Sequence, residues 1–129
     1  SGHIWPVSSR NITSPFGPRT HPITGVVNSH HSGIDIAAPN GTPIVASASG
    51  TVLTAGYTSI NGNYVIIYHG DGVATAYCHC STILVSEGQQ VAQGQTIAKV
   101  GLTGLTNGYH LHYGVRVNGT YVNPLNYIQ

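Results

Sequence analysis

The sequence predicts an all-β domain, and three observations carry that prediction. Glycine (17 residues) and proline (7) punctuate short runs rich in Val, Ile, Thr and Tyr, and such runs bounded by turn formers are the signature of strands. No extended window repeats apolar side chains at the helical period of about 3.6 residues. Two dipeptides that favour positive φ, Asp71-Gly72 and Asn118-Gly119, each separate a pair of such runs, as tight β-hairpins require.

The elements follow in chain order. The turn-rich stretch SSRNITSPFGPRTHPITG reads as a loop or arm packed on the sheet. GIDIAA and TPIVASASGTVLTAG are apolar and β-branched, and each is expected to be extended. NYVIIYH and VATAYCHC flank Asp71-Gly72 and make the first hairpin; HLHYGVRV and TYVNP flank Asn118-Gly119 and make the second. Between them, EGQQVAQGQTIAKVG carries two Gly-Gln phrases and predicts a further pair of short strands with glycine turns.

A chain of 129 residues has the size of one ordinary domain. The whole of 1–129 is expected to be a single, monomeric domain with residues 1–13 as an N-terminal arm. Only 5% of residues are charged and the formal net charge is +1, so the basic footprint of a nucleic-acid binder is absent. The longest apolar runs, such as YVIIY, fall far short of the roughly 20 residues that cross a bilayer. The start SGHIWPVSSR has neither a charged n-region nor an apolar h-region, and the chain has no Met; it is expected to be a piece of a longer or processed protein.

The two cysteines flank a histidine in AYCHCS, residues 76–81. On an extended strand His79 projects to one face while Cys78 and Cys80 project to the other, so the three do not close on one metal. The cysteines are too far apart for an unstrained disulfide. They are read as small buried hydrophobes.

Eight histidines stand beside three acids, Asp35, Asp71 and Glu87. Asp71 and Glu87 sit in turn phrases, but Asp35 lies inside an apolar strand, where a buried carboxylate needs a cation or several donors. His31 precedes it by four residues, and positions 31, 33 and 35 of an extended segment share a face. That spacing alone serves a hydrogen-bonded pair more readily than a metal. In YHLHYGV, His110 and His112 alternate with Leu111 and Tyr113 and therefore share a face as well. His31, Asp35, His110 and His112 together supply enough N and O donors for zinc, whose catalytic sites use three protein ligands. The two-carboxylate arrangement of glycosidases and the H-E-x-x-H helix of many metalloproteases are both missing. A histidine must then act as the base, and His79 and one member of the 110/112 pair are the natural choices.

HSGIDIAAPNGTPIVASASGTV, GNYVIIYHGDGVATAYCH, EGQQVAQGQTIAKVGLTG and TNGYHLHYGVRVNGTYVNP, in that order from about Ser14 to Tyr127, resemble the lysostaphin-type zinc endopeptidases of peptidoglycan, peptidase family M23. The resemblance implies an antiparallel β-sheet groove with packed β-hairpins and long loops. It implies one Zn2+ on His31, Asp35 and His112, with His79 and His110 acting on the catalytic water and the developing oxyanion. FGPRTHP matches the family's F-G-x-R-x-H-P and supplies Phe16, Gly17, Arg19 and His21. Arg19 is expected to contact substrate or order the rim, with a purely structural role as the alternative, and Tyr113 is the other expected substrate contact. Three positions depart from the pattern: Cys80 for a frequent Leu, Tyr113 for a frequent Phe, and Gly114 for a frequent acid.

The implied function is hydrolysis of peptide bonds in the stem or cross-bridge of bacterial peptidoglycan, outside the cytoplasm, by an autolysin, a secreted bacteriolytic enzyme or a phage tail or lysis protein. The alternative is a catalytically inactive wall-binding or scaffold module of the same fold. Neither nucleic acid nor membrane is an expected partner.

Overall fold

The structure is a computed structural model that describes residues 2–19 and 29–129. His21 lies outside the described residues, and of Arg19 only the backbone is described.

The core of the fold is one ten-stranded sheet in which every strand pairing is antiparallel. Its main path runs β1 (Ile12–Ser14), β4 (Ile34–Ala37), β11 (His110–Val117), β8 (Val73–Ile83), β7 (Gly62–Gly70), β6 (Gly50–Thr58) and β9 (Gln90–Val91). Off that path, β12 (Thr120–Val122) pairs with β11, and β10 (Thr96–Val100) bridges β8 to β5 (Pro43–Val45). A separate two-stranded ribbon joins β2 (Gly17–Arg19) to β3 (Ser29–His31). One 3-10 turn, Pro124–Asn126, follows, capped by the Asn123 side chain accepting from Leu125 N. No helix among the described residues is long and apolar enough to cross a membrane.

Both expected hairpins form, with φ of 53° and 78° at Asp71 and Gly72 and of 50° and 85° at Asn118 and Gly119. Positive φ at both central residues matches the twist of the flanking strands. The stretch read as a loop or arm instead contributes β1 and β2. Ile12 pairs with Ile36 and Ser14 with Asp35, and Gly17 pairs with His31. Its prolines and glycines hid strands this short, whose extended form comes from the partners they pair with.

Alternation sorts the side chains of β11. Leu111, Tyr113 and Val115 are fully buried and enter a core with Ile34, Ile36, Ile44, Val52, Val65, Ile67, Ile97 and Val100. His110 and His112 face the other way. β8 carries the same logic only as far as Cys78. That residue pairs with His112 of β11, whereas Cys80 pairs with Val100 of β10, so the strand changes partner across His79. There the backbone turns left-handed, φ 66°, and β8 takes three steps from Tyr77 to Cys80 against two from Val65 to Asn63 on β7. The chain therefore does not alternate regularly through Cys78, His79 and Cys80. A positive φ on a bulky residue costs free energy and persists where the surroundings hold it. Here His79 N donates to Asn61 O at 2.7 Å and His79 O accepts from Gly101 N at 3.0 Å.

A buried polar chain crosses the sheet. Tyr113 Oη donates to Ser47 Oγ at 2.9 Å, and Ser47 N donates to the hydroxyl of Tyr77 at 3.1 Å. That hydroxyl also lies 2.6 Å from Thr75 Oγ1, which meets His69 Nε2 at 2.7 Å. The N-terminal segment closes the chain through His3 Nδ1, 3.0 Å from Ser47 Oγ. Burial, with the charge of His69 nearby, pushes His3 down to about 4; burial likewise lowers His69. An unfolded histidine titrates at about 6.5. As pH falls from 6.5 the unfolded chain takes up protons that folded His3 refuses, so stability is lost between about pH 6.5 and 4 and is unaffected above that window. The urea midpoint of the chelator-treated protein should therefore fall between pH 7 and pH 4.5. In a His3→Gln variant that fall should be shallower; an identical fall would remove His3 from the cause.

Candidate metal centre

Three side chains from three strands converge at the end of β3, on β4 and on β11. His31 closes β3, and a bend at Ser32 and Gly33 turns the chain into β4. His31 and Asp35 thus belong to two strands rather than to one extended segment. Gly33 is required at that bend, because a Cβ there would run into the Tyr113 carbonyl and stand 3.1 Å from His112 Cε1. Asp35 then pairs with His112 across β4 and β11, which sets the carboxylate beside the imidazole.

The donor atoms form a near-equilateral triangle. His31 Nε2 lies 3.0 Å from His112 Nδ1 and 3.2 Å from Asp35 Oδ1, and His112 Nδ1 lies 3.1 Å from Asp35 Oδ1. His31 Nδ1 is 2.9 Å from Pro15 O, an atom that only accepts, so Nδ1 carries the proton and the lone pair of Nε2 faces the triangle. A lone pair, a carboxylate oxygen and a second imidazole nitrogen at such range are held by a proton on His112 Nδ1 or, once that proton leaves, by a cation between them. Corners of a tetrahedron around a zinc with bonds of about 2.0–2.1 Å stand roughly 3.4 Å apart, close to the observed edges. The spacing and chemistry of the three donors fit zinc.

Burial alone would raise the Asp35 carboxyl, but the hydrogen bond from His112 and the contact with the imidazole of His31 outweigh it and hold the group far below the ordinary carboxylate range. Burial lowers His112 against the opposing pull of Asp35. Both therefore present their metal-binding forms at neutral pH, an ionised carboxylate and a neutral imidazole.

Two further histidines border the triangle. The His79 ring centre lies 5.0 Å from that of His110 and 6.2 Å from that of His112. His110 Nε2 is 3.5 Å from Asp35 Oδ1. Each has its Nδ1 fixed by a backbone carbonyl of one loop, residues 101–109: His79 to Thr103 O at 2.8 Å, and His110 to Gly108 O at 2.8 Å. Nδ1–H donates in both, which leaves each Nε2 as the nitrogen with a free lone pair. Burial pushes His79 down to about 4, so it is neutral at physiological pH.

The five residues expected at the site, His31, Asp35, His79, His110 and His112, are brought together. Tyr113 is not among them. It points to the opposite face of β11, fully buried, with its hydroxyl on Ser47, and substrate contact is closed to it. Its departure from the frequent Phe serves the polar chain behind the sheet. The cysteines remain outside as well. Both are free and buried, and burial pushes each thiol up to about 12, far from the thiolate that binds metal. At Gly114, a Cβ would stand 3.0 Å from Tyr121 Cε1, so an aromatic ring occupies the start of the path that an acid would take. Sequence reasoning missed Tyr121 and the loop carbonyls. The one pointer to the latter was the position of a glycine-rich loop directly before HLH.

Comparison with known proteins agrees with this geometry. Residues 29–124 match peptidase family M23. The peptidoglycan DD-endopeptidase ShyC of Vibrio cholerae is 46% identical over 120 residues, a match that spans 92% of this chain and 28% of ShyC. A crystal structure of a zinc-containing peptidase from Vibrio cholerae superimposes with a TM-score of 0.88 at 39% identity, over 95% of this chain and 39% of that one. The catalytic domain of the antimicrobial peptidase lysostaphin from Staphylococcus simulans gives a TM-score of 0.82 at 31% identity, over 91% and 90%. With a family match across most of its length and every donor of the triangle inside or bordering the matched strands, the chain belongs to peptidase family M23.

Proposed function

We propose that this chain is a zinc endopeptidase domain, acting outside the cytoplasm within a longer protein, that hydrolyses peptide bonds in bacterial peptidoglycan. The observation that carries the reading is the donor triangle of His31, Asp35 and His112 with two oriented histidines beside it. The name of ShyC, a peptidoglycan DD-endopeptidase, supports the substrate class, and the likeness to the lysostaphin domain supports peptidase chemistry. A zinc ion on the triangle would polarise a scissile carbonyl and make water acidic enough to attack near neutral pH.

The remaining chemistry falls to the chain itself. Water must lose a proton as its oxygen bonds to the carbonyl carbon, and the departing amine must gain one as the C–N bond breaks. Nε2 of His110 and Nε2 of His79 are the acceptors suited to this, because Gly108 O and Thr103 O hold both rings with Nδ1 protonated. One of the pair takes the proton; once protonated, an Nε2–H can donate to the developing oxyanion or to the amine. The carbonyls also keep the rings from rotating, so the lone pairs stay aimed without reorganisation. Asp35 stays ionised and takes no proton. An inactive wall-binding module would need only the sheet, and nothing in such a role calls for two imidazoles with their Nε2 atoms kept free.

Purified sacculi incubated with the zinc-loaded chain should release free amines and lose turbidity, and a chelator should stop both. In His79→Ala the rate should fall by about 10²–10⁴-fold with bound zinc near one equivalent; full activity in that variant would overturn the assigned role. Removal of a ligand has a different signature. His31→Ala, Asp35→Ala and His112→Ala should each lose stoichiometric zinc by elemental analysis as well as activity. Retention of a full equivalent in any of them would exclude that residue from the centre.

A further inference from the structure

β11 carries the face of the donor triangle onward along the sheet. Period-two alternation places His110, His112, Gly114 and Arg116 on the same side of the strand, while Tyr113 and Val115 enter the core. On β8, Cys78 lies opposite His112, Ala76 opposite Gly114 and Ala74 opposite Arg116. Past His112 these two strands therefore present only small side chains until Arg116, which stands four residues, about 13 Å, along the strand.

On its other side Arg116 lies directly opposite Tyr121 of β12. The Tyr121 ring leans over Gly114, where a Cβ would stand 3.0 Å from its Cε1, so the ring sits on the same face between Arg116 and His112. Burial raises the Tyr121 hydroxyl, and the charge of Arg116 together with a hydrogen bond from its guanidinium opposes that rise. The tyrosine oxygen thus orients the cation on this face. No acid answers its charge. β7, β8, β11 and β12 contain neither Asp nor Glu, Asp35 is committed to three imidazoles, and among the described residues no ion pair includes Arg116. A half-buried guanidinium that touches one neutral oxygen keeps most of its five N–H donors for another partner, and their planar fork matches a carboxylate.

We propose that Arg116, oriented by Tyr121, binds a free carboxylate of the peptide substrate, within about four residues of the scissile bond. The inference rests on the peptidoglycan endopeptidase reading and deepens it. An extended peptide that follows the face of β11 advances about 3.3 Å per residue and passes from the triangle to Arg116 in about four residues. A carboxylate there gains charge-assisted hydrogen bonds from the fork; a carboxamide brings no charge and its amino group meets only donors. Discrimination of about tenfold between the two follows from a charged hydrogen bond that water still reaches on one side.

The test uses two synthetic cross-linked muropeptides that differ only in their free stem carboxylates, kept in one and converted to carboxamides in the other. The zinc-loaded wild type should cleave the carboxylate form with kcat/KM about tenfold above the amide form. Arg116→Gln should bring the ratio to within about twofold, mainly by loss on the carboxylate form, with zinc content and urea midpoint as in the wild type. Arg116→Lys, which keeps the charge without the fork, should keep part of the preference. A second measurement needs no turnover. The chelator-treated chain, titrated with the two uncross-linked stem peptides, should bind the carboxylate form about tenfold more tightly, a difference that shrinks with added salt and disappears in Arg116→Gln. An unchanged ratio in Arg116→Gln, equal losses on both substrates, or no preference in the wild type would each overturn the inference. If the wild type cleaves neither muropeptide nor sacculi but binds the carboxylate form through Arg116, the endopeptidase reading falls and the carboxylate site stands.

Discussion

The site depends on three donor atoms that the sheet forces together, a crowding relieved by a proton on His112 Nδ1 or by a cation between them. Two imidazole nitrogens and a carboxylate oxygen sit 3.0–3.2 Å apart on side chains that are largely removed from water. A carboxylate so placed is costly unless it is paired, and the lone pair of His31 Nε2 beside it adds to the cost. The sheet brings them together regardless. Pairing of β4 with β11 sets Asp35 opposite His112, the bend at Ser32 and Gly33 folds His31 back onto them, and the Pro15 carbonyl takes the only proton that could have turned His31 Nε2 into a donor. Behind the triangle, Leu111 and Tyr113 anchor β11 in the core, so the strand that carries His110 and His112 has little freedom to relax away.

The second organising feature is the left-handed turn at His79. β8 leaves β11 after Cys78 and joins β10 at Cys80, and the residue at that exchange carries the strain of a positive φ. Its amide, carbonyl and ring are all held, by Asn61, Gly101 and Thr103. Strain of this kind gathers where an exact side-chain direction matters more than local stability. The same loop fixes His110 through Gly108 O, so one segment sets the aim of both histidines.

Much of this was legible in the amino-acid sequence, for reasons that differ by element. His110 and His112 share a face because Leu111 and Tyr113 demand the core, and period-two alternation states that directly. The hairpins at Asp71-Gly72 and Asn118-Gly119 were legible because few other residues tolerate that backbone. Alternation through AYCHCS failed at His79, since a histidine gives no local sign of positive φ. The cysteines are nonetheless inert, through burial rather than through strand geometry. β1 and β2 were hidden because they are strands only by virtue of Ile36, Asp35 and His31 opposite them. The carbonyls of Pro15, Thr103 and Gly108 were beyond reach, since a backbone oxygen leaves no mark on residue type. Tyr113 shows the reverse. Its burial followed from alternation with His112, and its hydroxyl is spent on Ser47 rather than on the expected substrate contact.

X-ray absorption at the zinc edge of the metal-loaded chain tests the donor triangle most directly. Zinc on His31, Asp35 and His112 gives a first shell of nitrogen and oxygen alone at about 2.0–2.2 Å, with the outer-shell scattering of imidazole. A sulfur shell at about 2.3 Å would contradict it, since it would bring Cys78 or Cys80 out of the core and onto the metal.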